Sequence, residues 1–212
     1  MSILEEISTL LQQGRMPKVK ELVAKALEDG IEAKEILENG LMSGMSIIGE
    51  KFKNNEVFVP EVLIAARAMN AGVEILKPHM VGEDAQSKGK AVLGTVKGDL
   101  HDIGKNLVKI MLEGKGLEVI DLGVDVAPET FVEKAKEIDA DLICCSALLT
   151  TTMNEMKNVV DKTKEAGIRD RVKIMIGGAP ITQNFCDSIG ADCYTADAAS
   201  AAEAALELCK EA

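Results

Sequence analysis

From residue 91 onward the sequence alternates between short apolar runs and helical runs, and this alternation constrains the fold more than any other feature. The apolar runs are AVLGTV, LEVIDLG, DLICCSAL, KIMIGGAP and DCYTAD. Helical periodicity follows each of them, over 104–114, 128–138, 152–166, 182–189 and 198–210. Near-continuous apolar strands that alternate with helices are typical of a parallel sheet covered on both faces. The pattern predicts a doubly wound, five-stranded sheet of the flavodoxin-like or Rossmann-like kind.

The region before residue 83 shows helical periodicity only. Segments such as VKELVAKALEDG and VPEVLIAARAMNAGVEILKPHM repeat apolar residues at helical spacing, and Pro60 stands near a first turn, where proline is tolerated. About four helices here predict a small bundle. The following segment, VGEDAQSKGK, is polar and glycine-bearing, which is typical of a linker. We therefore expect a helical domain over 1–82, a linker over 83–90 and an α/β domain over 91–212.

Composition excludes several classes of function. The chain has 24 basic and 35 acidic residues, a net charge of −11, so its average surface repels a phosphate backbone. Aromatic residues make up 2% and Trp is absent, which removes the usual base-stacking platform. No apolar run has the length of a membrane span, and the N-terminus does not read as a signal peptide. We expect a cytoplasmic protein that binds neither nucleic acid nor a membrane.

The stretch GTVKGDLHDIGKN, residues 94–106, brings polar chemistry to the end of the first strand. It places Asp99, His101 and Asp102 in a loop, just before a glycine that opens a helix. In doubly wound sheets, ligands bind beyond the carboxyl ends of the strands, at the switch point between the first and third strands. Ser146 ends the third strand, so we expect it to share a crevice with this loop.

We consider three interpretations of the loop: a phosphate-binding P-loop, a structural histidine and a metal-binding histidine. A P-loop needs four residues between its glycines and a Ser or Thr after its lysine. Here five residues separate Gly98 from Gly104 and Asn106 follows the lysine, so that pattern fails. His101 could cap the helix or bond locally. It could also bind a metal, because a ligating His commonly donates its other N–H to a carboxylate such as Asp99. With no second His or Cys nearby, such a metal would already be held by a macrocycle.

The loop also resembles the signature of cobalamin-binding domains, and two further motifs of that family follow in register. After the signature, 41 residues precede a Ser-x-Leu, and another 28 precede a Gly-Gly. The three motifs are Asp99-x-His101-x-x-Gly104, Ser146-x-Leu148 and Gly177-Gly178. The segments LMSGMSIIGEKF and VFVPEVLIAARAMNAGVEILKP are similar to the helical cap of methionine synthase and of corrinoid methyl-carrier proteins. The resemblance covers nearly the whole chain.

In this family the cofactor binds base-off, and a protein histidine takes the lower face of cobalt. The resemblance implies that His101 is this metal ligand, that Asp99 accepts its other N–H, and that Thr152 stands where methionine synthase has a relay serine. These three would form the catalytic group. Further cofactor contacts are implied at Gly98, Leu100, Asp102, Gly104, Ser146, Leu148, Thr150, Gly177, Gly178 and Ala198.

The cap implies a second set of contacts, on the upper face of the corrin. An apolar cluster would shield the bound methyl group and one carboxylate would touch the ring. The apolar positions are Phe52, Phe58, Val59, Val62 and Leu63, and the polar one is Glu38. From the residues alone, ordinary bundle core is the favoured interpretation of the apolar positions, and several could serve both roles.

The activity that the resemblance implies is methyl carriage by cobalamin or a related cobamide, on a subunit that is not catalytic by itself. A substrate-specific methyltransferase would load the methyl group, a second one would pass it to tetrahydrofolate or a thiol, and a reductive activator would rescue the cofactor. Methanol, a methylamine, a betaine or a methoxylated aromatic could be the donor. Two alternatives share the signature: the cobalamin subunit of an adenosylcobalamin mutase, which can lack the cap, and a B12-sensing regulator, for which we see no output module.

Overall fold

The computed structural model describes residues 2–80 and 87–210, and the chain divides into two compact units, Met1–Gln86 and Ser87–Ala212. The first unit is helical and the second is an α/β unit, so the predicted fold class is confirmed. Residues 83–86 of the linker predicted over 83–90 lie outside the described residues, and Lys90 already belongs to the first strand. No helix within the described ranges is long and apolar enough to cross a membrane.

In its described part, the helical unit is built from four rods. The first two rods are α1 (Ile3–Gln12) and α2 (Met16–Glu28). The third is continuous and consists of α3 (Ala33–Glu35), a π-helical segment (Ile36–Met42) and α4 (Ser43–Lys53). The fourth is α5 (Val59–Leu76), which ends in a 3₁₀ turn (Lys77–His79). Ser2 caps α1 by accepting the N–H of Glu5, whose carboxylate accepts the N–H of Ser2 in return. Pro60 lies in the first turn of α5, as its position in the sequence predicts.

Small residues allow the third rod to pack closely on α1. A Cβ on Gly44 would lie 2.9 Å from the carbonyl oxygen of Ser8, and a Cβ on Gly40 would lie 3.2 Å from the side chain of Ile7. The π-helical segment has one residue more per turn than the α-helix around it, a feature that is rare outside functional sites. The rod therefore combines a tight glycine contact with an irregular turn that carries Glu38.

The α/β unit is a five-stranded parallel sheet with helices between its strands. The strands are β1 (Lys90–Thr95), β2 (Glu118–Asp121), β3 (Leu142–Ser146), β4 (Lys173–Gly177) and β5 (Cys193–Tyr194). The helices are α6 (Ile103–Gly114), α7 (Pro128–Ile138), α8 (Asn154–Glu165), α9 (Gln183–Ile189) and α10 (Ala198–Leu208). Each helix begins and ends within two residues of the run that the sequence predicts, because apolar periodicity marks the face that a helix buries. The strands β4 and β5 end three residues before the ends of their predicted runs.

The strand order β2-β1-β3-β4-β5 places the switch point between β1 and β3, as predicted. The register pairs Thr95 with Ser146 and Ser146 with Gly177, so the carboxyl ends of β1, β3 and β4 stand at one level. The loop after β1 and the turn after β3 therefore emerge side by side. The first two cobalamin-type motifs lie on these two connections.

A buried ion pair fixes the first turn of α6 against the edge strand β2. Lys105 is 3% exposed, and its Nζ lies 2.7 Å from both carboxylate oxygens of Asp121 and 2.7 Å from Oδ1 of Asn106. Burial acts to raise the pKa of Asp121, but the hydrogen bonds from Lys105 and from the N–H of Gly123 outweigh it and lower the pKa. The buried ion pair thus holds the first turn of the helix that follows the histidine loop.

Candidate functional site

The loop that joins β1 to α6 folds back over the carboxyl edge of the sheet. Gly98 has a φ of +80°, a conformation that glycine adopts without steric cost, and the N–H of Asp99 bonds to the carbonyl of Val96 at 3.1 Å. The hydroxyl of Thr95 donates to the carbonyl of His101 at 2.8 Å. These bonds return the chain to the end of β1 just before α6 begins.

Asp99 and His101 form a close pair at the centre of this loop. The Asp99 side chain is fully buried, whereas the His101 side chain is 51% exposed. Asp99 Oδ1 lies 2.7 Å from His101 Nδ1 and 3.1 Å from the backbone N–H of the same residue. The imidazole is thus tied at one nitrogen to a buried group while the ring itself faces outward.

The second carboxylate oxygen of Asp99 is held by the turn after β3. Oδ2 accepts the N–H of Leu148 at 2.8 Å and the N–H of Leu149 at 3.1 Å. Burial acts to raise the pKa of Asp99, but the hydrogen bonds from His101, Leu148 and Thr152 lower it well below its usual range. Asp99 is therefore an ionised carboxylate at neutral pH.

The ionised state of Asp99 determines which nitrogen of His101 is available. A carboxylate only accepts hydrogen bonds, so Nδ1 of His101 carries the hydrogen. In the neutral imidazole the lone pair then lies on Nε2, the usual arrangement of a metal-ligating histidine with a carboxylate behind it. The helix-capping interpretation is wrong, because the N-cap of α6 is Asp102 and no side chain caps this end.

Thr152 is the third member of the group that the resemblance to methionine synthase implies. Its side chain is buried, and its Oγ1 lies 2.9 Å from Asp99 Oδ2 and 2.9 Å from the carbonyl oxygen of Leu149. The hydroxyl has a single hydrogen, which it can donate to only one of these acceptors at a time. The structure brings Asp99, His101 and Thr152 together from two connections of the sheet.

Exposed apolar side chains surround the histidine. Within the described part of the α/β unit, the large apolar residues that are exposed are Leu100 (70%), Ile103 (76%), Leu148 (45%) and Leu149 (40%). All four lie on the histidine loop, on the start of α6 or on the turn that bonds to Asp99. Exposed apolar side chains that are grouped in this way typically mark a binding site. It fits a broad, largely apolar ligand such as a corrin ring.

The donor set also fits a metal that arrives with its own ligands. Across residues 2–80 and 87–210, no group of three or more His, Cys, Asp or Glu side chains is placed to hold a metal ion. The cysteines Cys144 and Cys145 are buried, and burial raises the pKa of the Cys144 thiol to about 12. A single available imidazole nitrogen suits a macrocyclic cobalt, which needs only an axial ligand from the protein.

The other predicted positions of the α/β unit include several that are half-buried or exposed. Ser146 and Gly177 lie beside each other at the strand ends, and Thr150 is exposed on the turn after β3. A Cβ on Gly104 would meet nothing within 4 Å, and Asp102 accepts a hydrogen bond from Asn106 at 3.1 Å.

Gly178 and Ala198 pack against the fold itself. Gly178 has a φ of +134°, and a Cβ there would overlap the carbonyl oxygen of Ala147. Its lack of a side chain is therefore required by the packing of β3, whatever approaches it from outside. Ala198 is 6% exposed, in the first turn of α10.

The predicted cap positions are not equally accessible within the helical unit. Phe58 is 63% exposed and Leu63 is 37% exposed, whereas Val62 is fully buried in the bundle core. Phe52 and Val59 are half-buried, and Glu38 is exposed on the π-helical segment. Phe58 and Leu63 are thus accessible to a ligand within this unit, whereas Val62 lies in the bundle core.

Sequence reasoning missed three contributors to the site. Leu149 donates its backbone N–H to Asp99, Ile103 supplies exposed apolar surface, and Asp125 bonds to the histidine loop from the turn after β2. Backbone donors carry no signature in residue type, so no motif could have revealed Leu149. Asp125 is a lone acidic residue in a short loop, and its residue type does not distinguish a structural carboxylate from a solvated one.

Comparison with known proteins agrees with this geometry. The B12 binding domain family matches residues 89–207, and a second B12 binding domain family matches residues 3–77. The dimethylamine corrinoid protein 2 of Methanosarcina acetivorans is 47% identical over 207 residues, which cover 97% of this chain and 95% of that protein. The trimethylamine corrinoid protein 1 of Methanosarcina mazei is 49% identical over 191 residues, 88% of each chain.

A solved structure shares the whole architecture. A chain of the methanol:cobalamin methyltransferase complex of Methanosarcina barkeri superposes with a TM-score of 0.89 at 30% sequence identity, covering 99% of this chain and 80% of that one. The family match extends over more than half of the present chain, and the curated relatives extend over nearly all of it. The chain therefore belongs to the B12-binding corrinoid protein family and binds cobalamin or a related cobamide.

Proposed function

We propose that this chain is the corrinoid subunit of a methylamine-dependent methyl-transfer system and that His101 binds cobalt through Nε2. When bound, the corrinoid supplies a cobalt centre that takes a methyl group from one partner and gives it to another. The chain itself supplies the histidine, the carboxylate that orients it and the apolar surface on which the ring rests. It is a carrier and not a complete enzyme.

The observation that carries the proposal is the pair of Asp99 and His101. The buried carboxylate fixes the Nδ1–H of the imidazole at 2.7 Å and leaves Nε2 on a half-exposed ring. The hydroxyl of Thr152, within hydrogen-bond distance of Asp99, helps to keep that carboxylate ionised.

The substrate class rests on the relatives. Two of them are a dimethylamine and a trimethylamine corrinoid protein, and both are nearly half identical to this chain over almost their full length. The similar complex from Methanosarcina barkeri acts on methanol, but its corrinoid chain is only 30% identical. These identities favour a methylamine over methanol, and they favour a methyl carrier over a mutase subunit or a B12-sensing regulator.

The first partner is supported by the same comparison, and the other two rest on the resemblance to corrinoid methyl carriers. A corrinoid subunit in a methyltransferase complex supports a substrate-specific methyltransferase as the first partner of this chain. A second methyltransferase, with a thiol or tetrahydrofolate as acceptor, would remove the methyl group. A reductive activator would return an oxidised cofactor to the cycle.

A methyl-transfer assay tests the function. The protein, loaded with hydroxocobalamin and reduced, is mixed with a monomethylamine-, dimethylamine-, trimethylamine- or methanol-specific methyltransferase and the matching substrate. We expect the visible spectrum to change to the methylated form with one methylamine enzyme, and His101→Ala to lower the initial rate at least tenfold, since the ligand that places the cofactor is lost.

His79→Ala is the matched control, because His79 is the other histidine of the chain and lies exposed in the 3₁₀ turn after α5. It should react at the wild-type rate. Methylation with the methanol enzyme alone would contradict the substrate class. No methylation with any of the enzymes, by a protein that has bound its cofactor, would contradict the proposed carrier function.

A further inference from the structure

Asp125 lies in the turn between β2 and α7 and exchanges two hydrogen bonds with the histidine loop. Its backbone N–H donates to the carbonyl oxygen of Asp99 at 2.9 Å. Its carboxylate Oδ1 accepts the backbone N–H of Gly98 at 2.7 Å. The two bonds close a ring around the peptide that joins Gly98 to Asp99, immediately behind the carboxylate that orients His101.

The backbone of Asp125 indicates that this arrangement is enforced. Asp125 has a φ of +54°, in the left-handed region that L-residues other than Asn and Asp seldom adopt. The neighbouring residues tie the turn to β1, since Val126 N–H bonds to Thr95 O at 3.0 Å and Thr95 N–H bonds to Gly123 O at 3.0 Å. Asp125 is therefore held on a ladder with β1 and aimed at the loop that leaves the same strand.

Asp99 is thus held by hydrogen bonds from two different turns of the α/β unit. The turn after β3 holds its carboxylate through Leu148 and Leu149, and Asp125 holds its main chain. In the described part of the chain, the imidazole of His101 bonds to Asp99 and to no other side chain. The position of Nε2 consequently depends on how firmly the Gly98–Asp99 peptide is fixed.

We propose that Asp125 is a positioning residue for the cobalt ligand: by fixing the Gly98–Asp99 peptide it holds the Asp99–His101 pair in the orientation that presents Nε2 to the corrinoid. This inference rests on the proposed role of His101. Asp125 does not touch the imidazole, so its effect passes through Asp99. Its loss should weaken His101-dependent binding and leave the rest of the fold in place.

Two substitutions separate the hydrogen bond from the backbone strain. Asp125→Gly accepts the positive φ and keeps the N–H, but it removes the acceptor for Gly98. Asp125→Asn also tolerates this φ and keeps an amide oxygen in the same place. Asp139→Gly is a matched control, because Asp139 also has a positive φ (+52°) but lies at the C-terminal end of α7, just before β3 begins.

Two readouts are measured for each variant. The first is the exchange rate of the Gly98 amide in the apoprotein, by NMR. The second is the affinity for hydroxocobalamin, measured together with the absorbance band of the complex in which a protein histidine binds cobalt (the His-on form). We expect Asp125→Gly to raise the exchange rate about tenfold and to weaken binding about tenfold, because one hydrogen bond of ordinary strength is lost. Asp125→Asn should stay within about threefold of wild type, and Asp139→Gly should match wild type.

Other outcomes overturn the inference. It is wrong if Asp125→Gly binds hydroxocobalamin as tightly as wild type and with the same His-on spectrum. It is also wrong if Asp125→Asn loses as much as Asp125→Gly, or if Asp139→Gly has the same effect. A wild-type spectrum that does not change in His101→Ala would overturn the role of His101 and this inference together. A normal wild-type spectrum with an unaffected Asp125→Gly overturns this inference only.

Discussion

Asp99→Ala is expected to lower the free energy of unfolding of the apoprotein by about 3–5 kcal/mol and to abolish His-on cobalamin binding. The substitution removes a buried acceptor and leaves most of its donors without a partner. Those left without a partner are the backbone N–H groups of His101, Leu148 and Leu149 and the Nδ1–H of His101, whereas the hydroxyl of Thr152 keeps the carbonyl oxygen of Leu149 as its acceptor. Urea unfolding of the apoprotein and absorbance titration with hydroxocobalamin measure the two effects.

Asp99→Asn is a sharper variant of the same test. Its amide keeps the shape of the side chain but must direct an NH₂ group either at His101 or at the N–H groups of Leu148 and Leu149, all of which are donors. We expect a loss of about 2 kcal/mol and a weaker His-on band. Asp102→Asn is the control, because Asp102 is exposed in the same motif; it should change stability by less than about 0.5 kcal/mol. Equal effects at both positions would contradict the role given to Asp99.

The pH dependence of the same variant has a definite sign. The pKa of Asp99 is lowered in the folded protein, so the carboxylate contributes its full stability above the usual Asp pKa and loses it as the pH falls below that value. The difference in unfolding free energy between wild type and Asp99→Asn should therefore be constant near neutrality and shrink below about pH 4. A gap that widens in acid would contradict the ionised state inferred for Asp99.

Gly178→Ala is the second substitution with a large expected effect. A methyl group there would overlap the carbonyl oxygen of Ala147 and lie 2.9 Å from its carbonyl carbon, and the φ of +134° is unfavourable for any L-side chain. Backbone atoms in the sheet cannot move aside as a flexible side chain can. We expect a loss of about 3–5 kcal/mol in the unfolding free energy, measured on the apoprotein.

Gly177→Ala is the matched control in the adjacent position. A Cβ there would have Thr195 O as its nearest neighbour, at 3.8 Å, and the φ is ordinary, so stability should change by less than about 1 kcal/mol. Because the family resemblance implies a cofactor contact at Gly177, we expect this variant to weaken cobalamin binding. A stable Gly178→Ala protein would contradict the close approach of β3 and β4 seen in the structure.

How far sequence alone predicted the site depends on the distance along the chain. The pairing of Asp99 with His101 is local and was predictable, because two residues of separation in a loop bring the side chains together. Thr152 lies 53 residues from Asp99, and only the family resemblance connected the two. Asp125 lies 27 residues from Gly98 and acts on a backbone N–H, so neither periodicity nor a motif indicated it.

The fold followed the sequence more closely than the site did. Apolar periodicity determined the strands and helices of the α/β unit, since these elements are defined by the faces they bury. It did not predict the π-helical segment Ile36–Met42, whose extra residue per turn leaves no clear trace in composition. Periodicity also could not separate Val62, which is fully buried, from Phe58, which is 63% exposed, because both are apolar residues near the start of one helix.

The central claim, that His101 is the axial ligand of cobalt, is tested most directly by electron paramagnetic resonance of the reduced, paramagnetic holoprotein. The protein is labelled with ¹⁵N-histidine and loaded with cobalamin of natural isotopic composition. An axial ¹⁵N nucleus splits each cobalt line into a doublet, and a ¹⁴N nucleus from the cofactor's own base splits it into a triplet. The structure predicts doublets in wild type and in His79→Ala, and their loss in His101→Ala. Triplets in the wild-type protein, or no nitrogen splitting, would contradict the claim.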